Sequence, residues 1–236
     1  MKSLDEIVLK TILFVIVGIF VVNNTFSQAK FGIKAGINFA SLSETEGSHV
    51  RLLKKDGMAT GFHVGVFTNV RLIDVINFQP ELLFSMQGGY QKEYQHETLD
   101  RNFKHIPESF RSYLFQLGYI QLPLLFEIKP FANLGFLVGA QLGLNVSRKV
   151  TVTDSSGFSS TSSGSEFYMY YPYDREGFKK LDASLIYGLQ YTFKDKITIG
   201  ARYNLGLSNS LNHSFKQLSA KGWKSSVIQA GLGFSF

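Results

Sequence analysis

The sequence predicts an all-β fold, an eight-stranded antiparallel up-and-down transmembrane β-barrel over residues 28–236, behind a cleaved signal peptide at residues 1–27. Three observations carry that prediction: long runs of apolar–polar alternation, connections that are alternately long and short, and an aromatic C-terminal residue. Composition agrees with them. Charged residues make up 18% of the 236, below the ~25% of ordinary domains, and 22 Gly balance 22 Phe. The absence of Cys excludes a disulfide framework, a thiolate metal site, a Cys nucleophile and an acylated Cys anchor.

The first element is a targeting segment. Lys2 and Lys10 flank a short polar start, and residues 11–22 are mostly Ile, Val, Leu and Phe. Thr25 and Ser27 have the small-x-small spacing of a cleavage site, so processing is expected between Ser27 and Gln28. Asp5 and Glu6 depart from the usual acid-free start. The alternative is a membrane anchor, but this apolar run is short of the ~20 residues that a spanning helix needs. Cleavage removes two bases and two acids, so the net charge stays at +6.

The strands follow in order. From Leu134, apolar Leu134, Phe136, Val138, Ala140, Leu142, Leu144 and Val146 alternate with Gly135, Leu137, Gly139, Gln141, Gly143 and Asn145. Successive strand residues face opposite sides of a sheet, so one face is oily and the other small and polar. The same code runs from Leu181 to Phe193, from Ile197 to Leu207 and from Ile228 to Phe236, with weaker versions near Phe31, Phe62, Phe78 and Tyr113. Strands are therefore expected at 30–40, 60–71, 77–91, 113–129, 133–148, 181–194, 196–208 and 223–236.

Strand length separates two all-β architectures. Leu134 to Val146 spans about 40 Å at ~3.3 Å per residue. Tilted by ~35–45°, such a strand rises about 30 Å, near the height of a membrane barrel's apolar band. Strands of soluble sandwiches are usually ~5–6 residues. An eight-stranded barrel has a narrow interior, so the bulky face is expected outward against lipid and the small polar face inward. A soluble lipocalin-like barrel, apolar inside, is the competing architecture.

The connections and the end of the chain complete the pattern. Short connections are expected near Leu72–Ile76, Pro130–Ala132 and Asp195, and long ones at 41–59, 92–112, 149–180 and 209–222. Short periplasmic turns and longer outer loops are the habit of outer-membrane barrels. Ile228, Ala230, Leu232, Phe234 and the terminal Phe236 form an alternating strand like the insertion signal read by the barrel assembly machinery. Phe31, Phe78, Phe126, Phe193 and Phe234 are expected in the lower aromatic girdle. Pro80 and Pro123 lack the N–H of a barrel ladder, and bulges at the barrel foot are expected there.

Several segments resemble the PorT-type outer-membrane β-barrel family in family order. They are Phe31-Gly32-Ile33-Lys34-Ala35-Gly36-Ile37-Asn38, Gln79-Pro80-Glu81-Leu82-Leu83-Phe84-Ser85, Tyr119-Ile120-Gln121-Leu122-Pro123-Leu124-Leu125, Gly139-Ala140-Gln141-Leu142-Gly143, Gly188-Leu189-Gln190-Tyr191 and residues 200–207. The resemblance covers essentially the whole mature chain and implies an eight-stranded barrel. The namesake's association with a secretion and gliding apparatus belongs to one branch of that family.

Strand phase places Lys34, His63, Glu81, Glu127, Lys129 and Arg202 inward. Unpaired ions are costly away from water, so Lys34, Glu81, Glu127 and Arg202 are expected to pair as a structural plug. A gated or proton-sensitive pore is the functional alternative. His49, His96, His105 and His213 fall in Ser-containing loops, which leaves an outer-leaflet lipid-modifying enzyme as a further reading. No metal-ligand spacing or cofactor motif is present. The Gly/Ser-rich run Ser155–Ser165 is expected to be flexible, and Phe167, Tyr168, Tyr170, Tyr171 and Tyr173 either form a recognition surface or line the barrel rim. Arg51-Leu52-Leu53-Lys54-Lys55 and Arg148-Lys149 are expected as solvated loop charge or contacts to lipid phosphate. The expected partners are membrane lipid, the assembly machinery and surface or secretion-apparatus proteins. Nucleic acid is excluded by an exported barrel.

Overall fold

Closure of the ring is the organising fact. The computed structural model describes residues 29–44, 54–95, 98–99, 105–106, 109–131, 133–154, 159–163, 179–209 and 223–236. Its strands are β1 (Ala29–Glu44), β2 (Lys54–Gly57), β3 (Ala59–Ile73), β4 (Ile76–Gln95), β5 (Thr98–Leu99), β6 (His105–Ile106), β7 (Ser109–Ile128), β8 (Leu134–Asp154), β9 (Ser159–Ser163), β10 (Leu181–Phe193), β11 (Ile197–Gly206) and β12 (Trp223–Ser235). Eight long strands pair in the order β1-β3-β4-β7-β8-β10-β11-β12, and β12 returns to β1 from Ser235 opposite Gly32 to Trp223 opposite Glu44. Every pairing is antiparallel. A closed ring satisfies its own backbone groups, which hydrocarbon surroundings require.

The outer surface is apolar. Ile33, Ile37, Val66, Leu142, Leu185 and Leu232 are 44–62% exposed, while their strand neighbours Gly32, Asn38, Phe67, Gln141, Ser184 and the rest of the alternate set face inward. This facing excludes the soluble barrel with an apolar interior and polar exterior. Phe31, Phe126, Phe193 and Phe234 are exposed near the end that carries the short turns, and the Phe78 and Phe126 rings approach to 5.4 Å.

The short connections are Asp74–Val75, residues 129–133 and residues 194–196. Lys194 and Asp195 both take left-handed backbone conformations (φ 46° and 58°), and Lys196 N donates to Phe193 O (3.0 Å). Two left-handed central residues match the twist of a tight hairpin. At the opposite end β4, β7 and β8 run beyond their expected limits, pairing as far as Gln95 with Ser109 and Arg111 with Asp154. Past the oily band these strands are held by backbone pairing and by the inward packing of residues such as Tyr113 and Phe115.

Three further expectations are corrected. Ser159–Ser163, expected as flexible, is β9 and pairs with Lys149–Thr153 of β8. Arg148 and Lys149, expected as loop charge, lie within β8, where Arg148 Nε donates to Asn145 Oδ1. Pro80 and Pro123 produce no register shift: pairing passes over Glu81–Leu82 between β4 and β7, then resumes in the same register. Register shifts lie elsewhere, between Arg71 and Ile73 at the foot of β3, between Lys55 and Gly57 on β2, and at Val146 on β8, where Gly118 faces Ser147 but Tyr119 faces Asn145. The extra residue reverses the facing of β8, so Val150 and Val152 turn inward with Tyr113 and Phe115.

Leu142 faces out and Gln141 faces in, where its Nε2 donates to Ser184 Oγ (3.3 Å). Leu142→Arg is expected to lose about 2–4 kcal/mol of folding free energy in lipid vesicles, and Leu142→Phe to lose little. Urea titration of both variants checks the outward facing.

Candidate functional site

The lumen is built by pairing large side chains with glycine on the adjoining strand, as Phe67 with Gly32 and Leu83 with Gly65. Phe67, Leu83, Leu125, Leu137, Ile186 and Val227 are buried inside, which corrects the expectation of a uniformly small and polar interior. β4 and β7 carry apolar residues on both faces, and alternation alone does not assign such strands. A Cβ on Gly32 would lie 2.4 Å from Phe67 Cζ, so the ring occupies the space that glycine leaves. Near the long-loop end Leu42, Tyr113, Phe115, Leu117 and Tyr119 form a second buried cluster.

The charged residues meet at mid-lumen. Glu81, on β4, accepts from Lys34 Nζ at Oε1 (2.7 Å) and from Arg202 Nη1 at Oε2 (2.7 Å). Arg202 Nε donates to Gln229 Oε1 (2.6 Å), and Gln229 Nε2 donates to Asn38 Oδ1 (3.0 Å). His63 Nδ1 lies 2.8 Å from the same Asn38 oxygen. Because that oxygen accepts from Gln229, Nδ1 carries the proton toward it and a neutral His63 ring has a bare Nε2. Asn38 Nδ2 in turn reaches Ser85 Oγ (3.0 Å) and Met86 O (2.7 Å).

Glu127 lies one layer lower and touches neither Lys34 nor Arg202. Its Oε2 accepts from Asn69 (3.0 Å) and Asn77 (2.8 Å), with Lys129 Nζ 3.2 Å away, while Oε1 accepts from Gln190. Gln190 Nε2 also donates to Gln79 Oε1 (3.1 Å), and Gln79 Nε2 donates to Glu81 Oε1 (2.7 Å). Two glutamines therefore couple the two carboxylates. Sequence reasoning missed Asn38, Asn69, Gln79, Gln190 and Gln229; all fall on the inward phase, but an uncharged amide does not announce a partner. Among the described residues, Gln121, Gln141 Oε1, Arg202 Nη2 and Asn204 include buried polar atoms without a protein partner.

Below this network the lumen opens as a cavity of about 760 Å³ toward the short-turn end, lined by Lys34, His63, Gln190, Thr198, Arg202 and Gln229 among others. No group of His, Asp and Glu side chains among the described residues is placed to hold a metal ion. His49, His96, His213 and the tyrosines of 167–173 lie outside the described residues, as do Ser27 and Gln28. Along β12, Ile228, Leu232 and Phe234 are exposed, Ala230 is half-buried and Phe236 is exposed beyond the strand.

Removing the shared carboxylate leaves two cations facing each other. Glu81→Gln is expected to lose about 3–5 kcal/mol in urea unfolding, and adding Lys34→Met is expected to recover part of that loss. Gly36 is a packing constraint on the same layer, since a Cβ there would lie 2.6 Å from both His63 Cε1 and Gly231 Cα. Gly36→Val is expected to lower the unfolding midpoint, by about 1–3 kcal/mol of stability.

Residues 23–212 match the sequence family described as outer membrane protein beta-barrel domain. No curated protein matches the chain. Among solved structures, the chain is similar to Neisserial surface protein A, with 16% identity over 89% of this chain and 100% of that one and a TM-score of 0.48. It is similar to the attachment invasion locus protein Ail of Yersinia pestis, with 15% identity over 89% and 99% and a TM-score of 0.43. OprG of Pseudomonas aeruginosa is 12% identical over 89% and 97%, with a TM-score of 0.32. With the family match extending over most of a chain that closes as an eight-stranded barrel, this protein belongs to the outer membrane protein β-barrel domain family and is an outer-membrane protein.

Proposed function

We propose that this barrel has a structural and interaction role: it presents its long loops at the cell surface, as a display scaffold or as an accessory of a surface or secretion machine, and it is non-catalytic. The observation that carries this reading is the lumen closed at its middle and at its long-loop end. The Lys34–Glu81–Arg202 network crosses its middle, and buried Leu42, Tyr113, Phe115, Leu117 and Tyr119 pack toward the long-loop end. That packing supports an occluded barrel, which leaves the loops as the outer surface available to partners.

Assignment to the PorT-type branch is part of the proposal and rests on the motifs at 31–38, 79–85 and 119–125. Lipid contacts the outward apolar band, and the outward Ile228, Leu232 and Phe234 of β12 support recognition by the barrel assembly machinery. Glu127 belongs with Lys34, Glu81 and Arg202 in the proposed plug through Gln190 and Gln79.

Purified protein in planar bilayers is expected to give no steady single-channel conductance; a reproducible open level would favour the narrow-channel reading. Crosslinking through the long loops in intact cells is expected to recover specific surface or secretion-apparatus proteins. An altered outer-leaflet lipid profile on overexpression would instead support a lipid-modifying enzyme.

A further inference from the structure

The lower lumen is hollow because neighbouring strands supply little side-chain volume there. β11 and β12 turn Gly200, Gly231 and Gly233 inward, and all three line the space. The resulting cavity of about 760 Å³ falls in the ~300–1,000 Å³ range of small-molecule sites. Lys34, His63, Arg202 and Gln229 form its inner end, and Lys30, Asp74 and Phe131 stand near its mouth.

The charge of this vestibule is unbalanced at its inner end. Arg71 pairs with Asp74 and Lys129 with Glu127. Lys34 and Arg202, by contrast, share the one carboxylate of Glu81. Arg202 is 6% exposed, and its Nη2 has no protein acceptor although the side chain lines the cavity. An uncompensated charge held away from bulk water is costly, and an oxyanion is its direct complement. A guanidinium fork also matches carboxylate and phosphate geometry. Thr192, Thr198 and Gln190 add polar groups along the walls.

We propose that the vestibule is a binding site for a small carboxylate- or phosphate-bearing solute that enters from the short-turn end, with Lys34 and Arg202 as its cationic contacts. The short turns of an outer-membrane barrel face the periplasm, so the ligand is a periplasmic solute. This site is independent of any partner at the surface loops.

Calorimetric titration of the full chain in detergent micelles, at constant ionic strength, tests the site with citrate, inorganic phosphate and choline as probes. Saturable binding of citrate or phosphate is expected, with none of choline. Lys34→Met leaves the Arg202–Glu81 pair neutral and intact, and is expected to weaken anion binding at least tenfold. Arg202→Gln is expected to do the same, with folding checked by heat-modifiable gel mobility; should it fail to fold, Lys34→Met carries the test. Lys196→Gln, in an exposed turn outside the lining, is expected to leave affinity unchanged. No saturable anion binding by the unaltered protein, equal affinity in Lys34→Met, or an equal loss in Lys196→Gln would overturn the proposal.

Discussion

The constraint on which the molecule depends is that hydrocarbon offers no hydrogen-bond partner to a peptide group. A sheet can meet that demand only by closing, and here closure is the ladder between β1 and β12. Once the ring is closed, the facing of every residue follows from strand phase. The outer face can be oily without cost, since lipid surrounds it. The inner face must fit a fixed, narrow bore.

That bore imposes two accommodations, one of volume and one of charge. Large inward residues on β3, β4 and β7 require glycine opposite, as Phe67 does against Gly32 and Leu83 against Gly65. Charged residues require neutral partners as well as ions of opposite sign. Glu81 is held by Lys34, Arg202 and Gln79, while Glu127 is held by Lys129 and three side-chain amides. Such networks are strong only when complete, because each atom left unpaired in a low-dielectric interior is a liability. Arg202 Nη2 is the charged member of the few buried polar atoms that lack a protein partner among the described residues.

The two ends of the lumen differ for the same reason. Toward the long loops, Tyr113, Phe115 and Tyr119 fill the bore, and the bulge at Val146 adds Val150 and Val152 to their packing. Toward the short turns, Gly200 on β11 and Gly231 and Gly233 on β12 supply no side chain, and the space stays unfilled. A barrel packed at one end and hollow at the other supports display outside and solute binding inside without a continuous path between them.

The number of long strands, their approximate limits, the short turns and the outward facing of residues such as Leu142 and Leu232 were all readable from the order of residues. Those features follow from local rules: side chains alternate along a strand, and long oily strands need lipid. The inward phase of Lys34, Glu81, Glu127 and Arg202 was legible as well. Which of them meet was not, because their separation across the bore depends on ring closure and on the register of β1, β4, β7 and β11. The same holds for the amides that join them and for the apolar inner face of β7, whose two faces look alike in sequence. The Val146 bulge, the pairing of Ser159–Ser163 and the position of the hollow emerge only once the strands are assembled, since each depends on what a neighbouring strand places opposite.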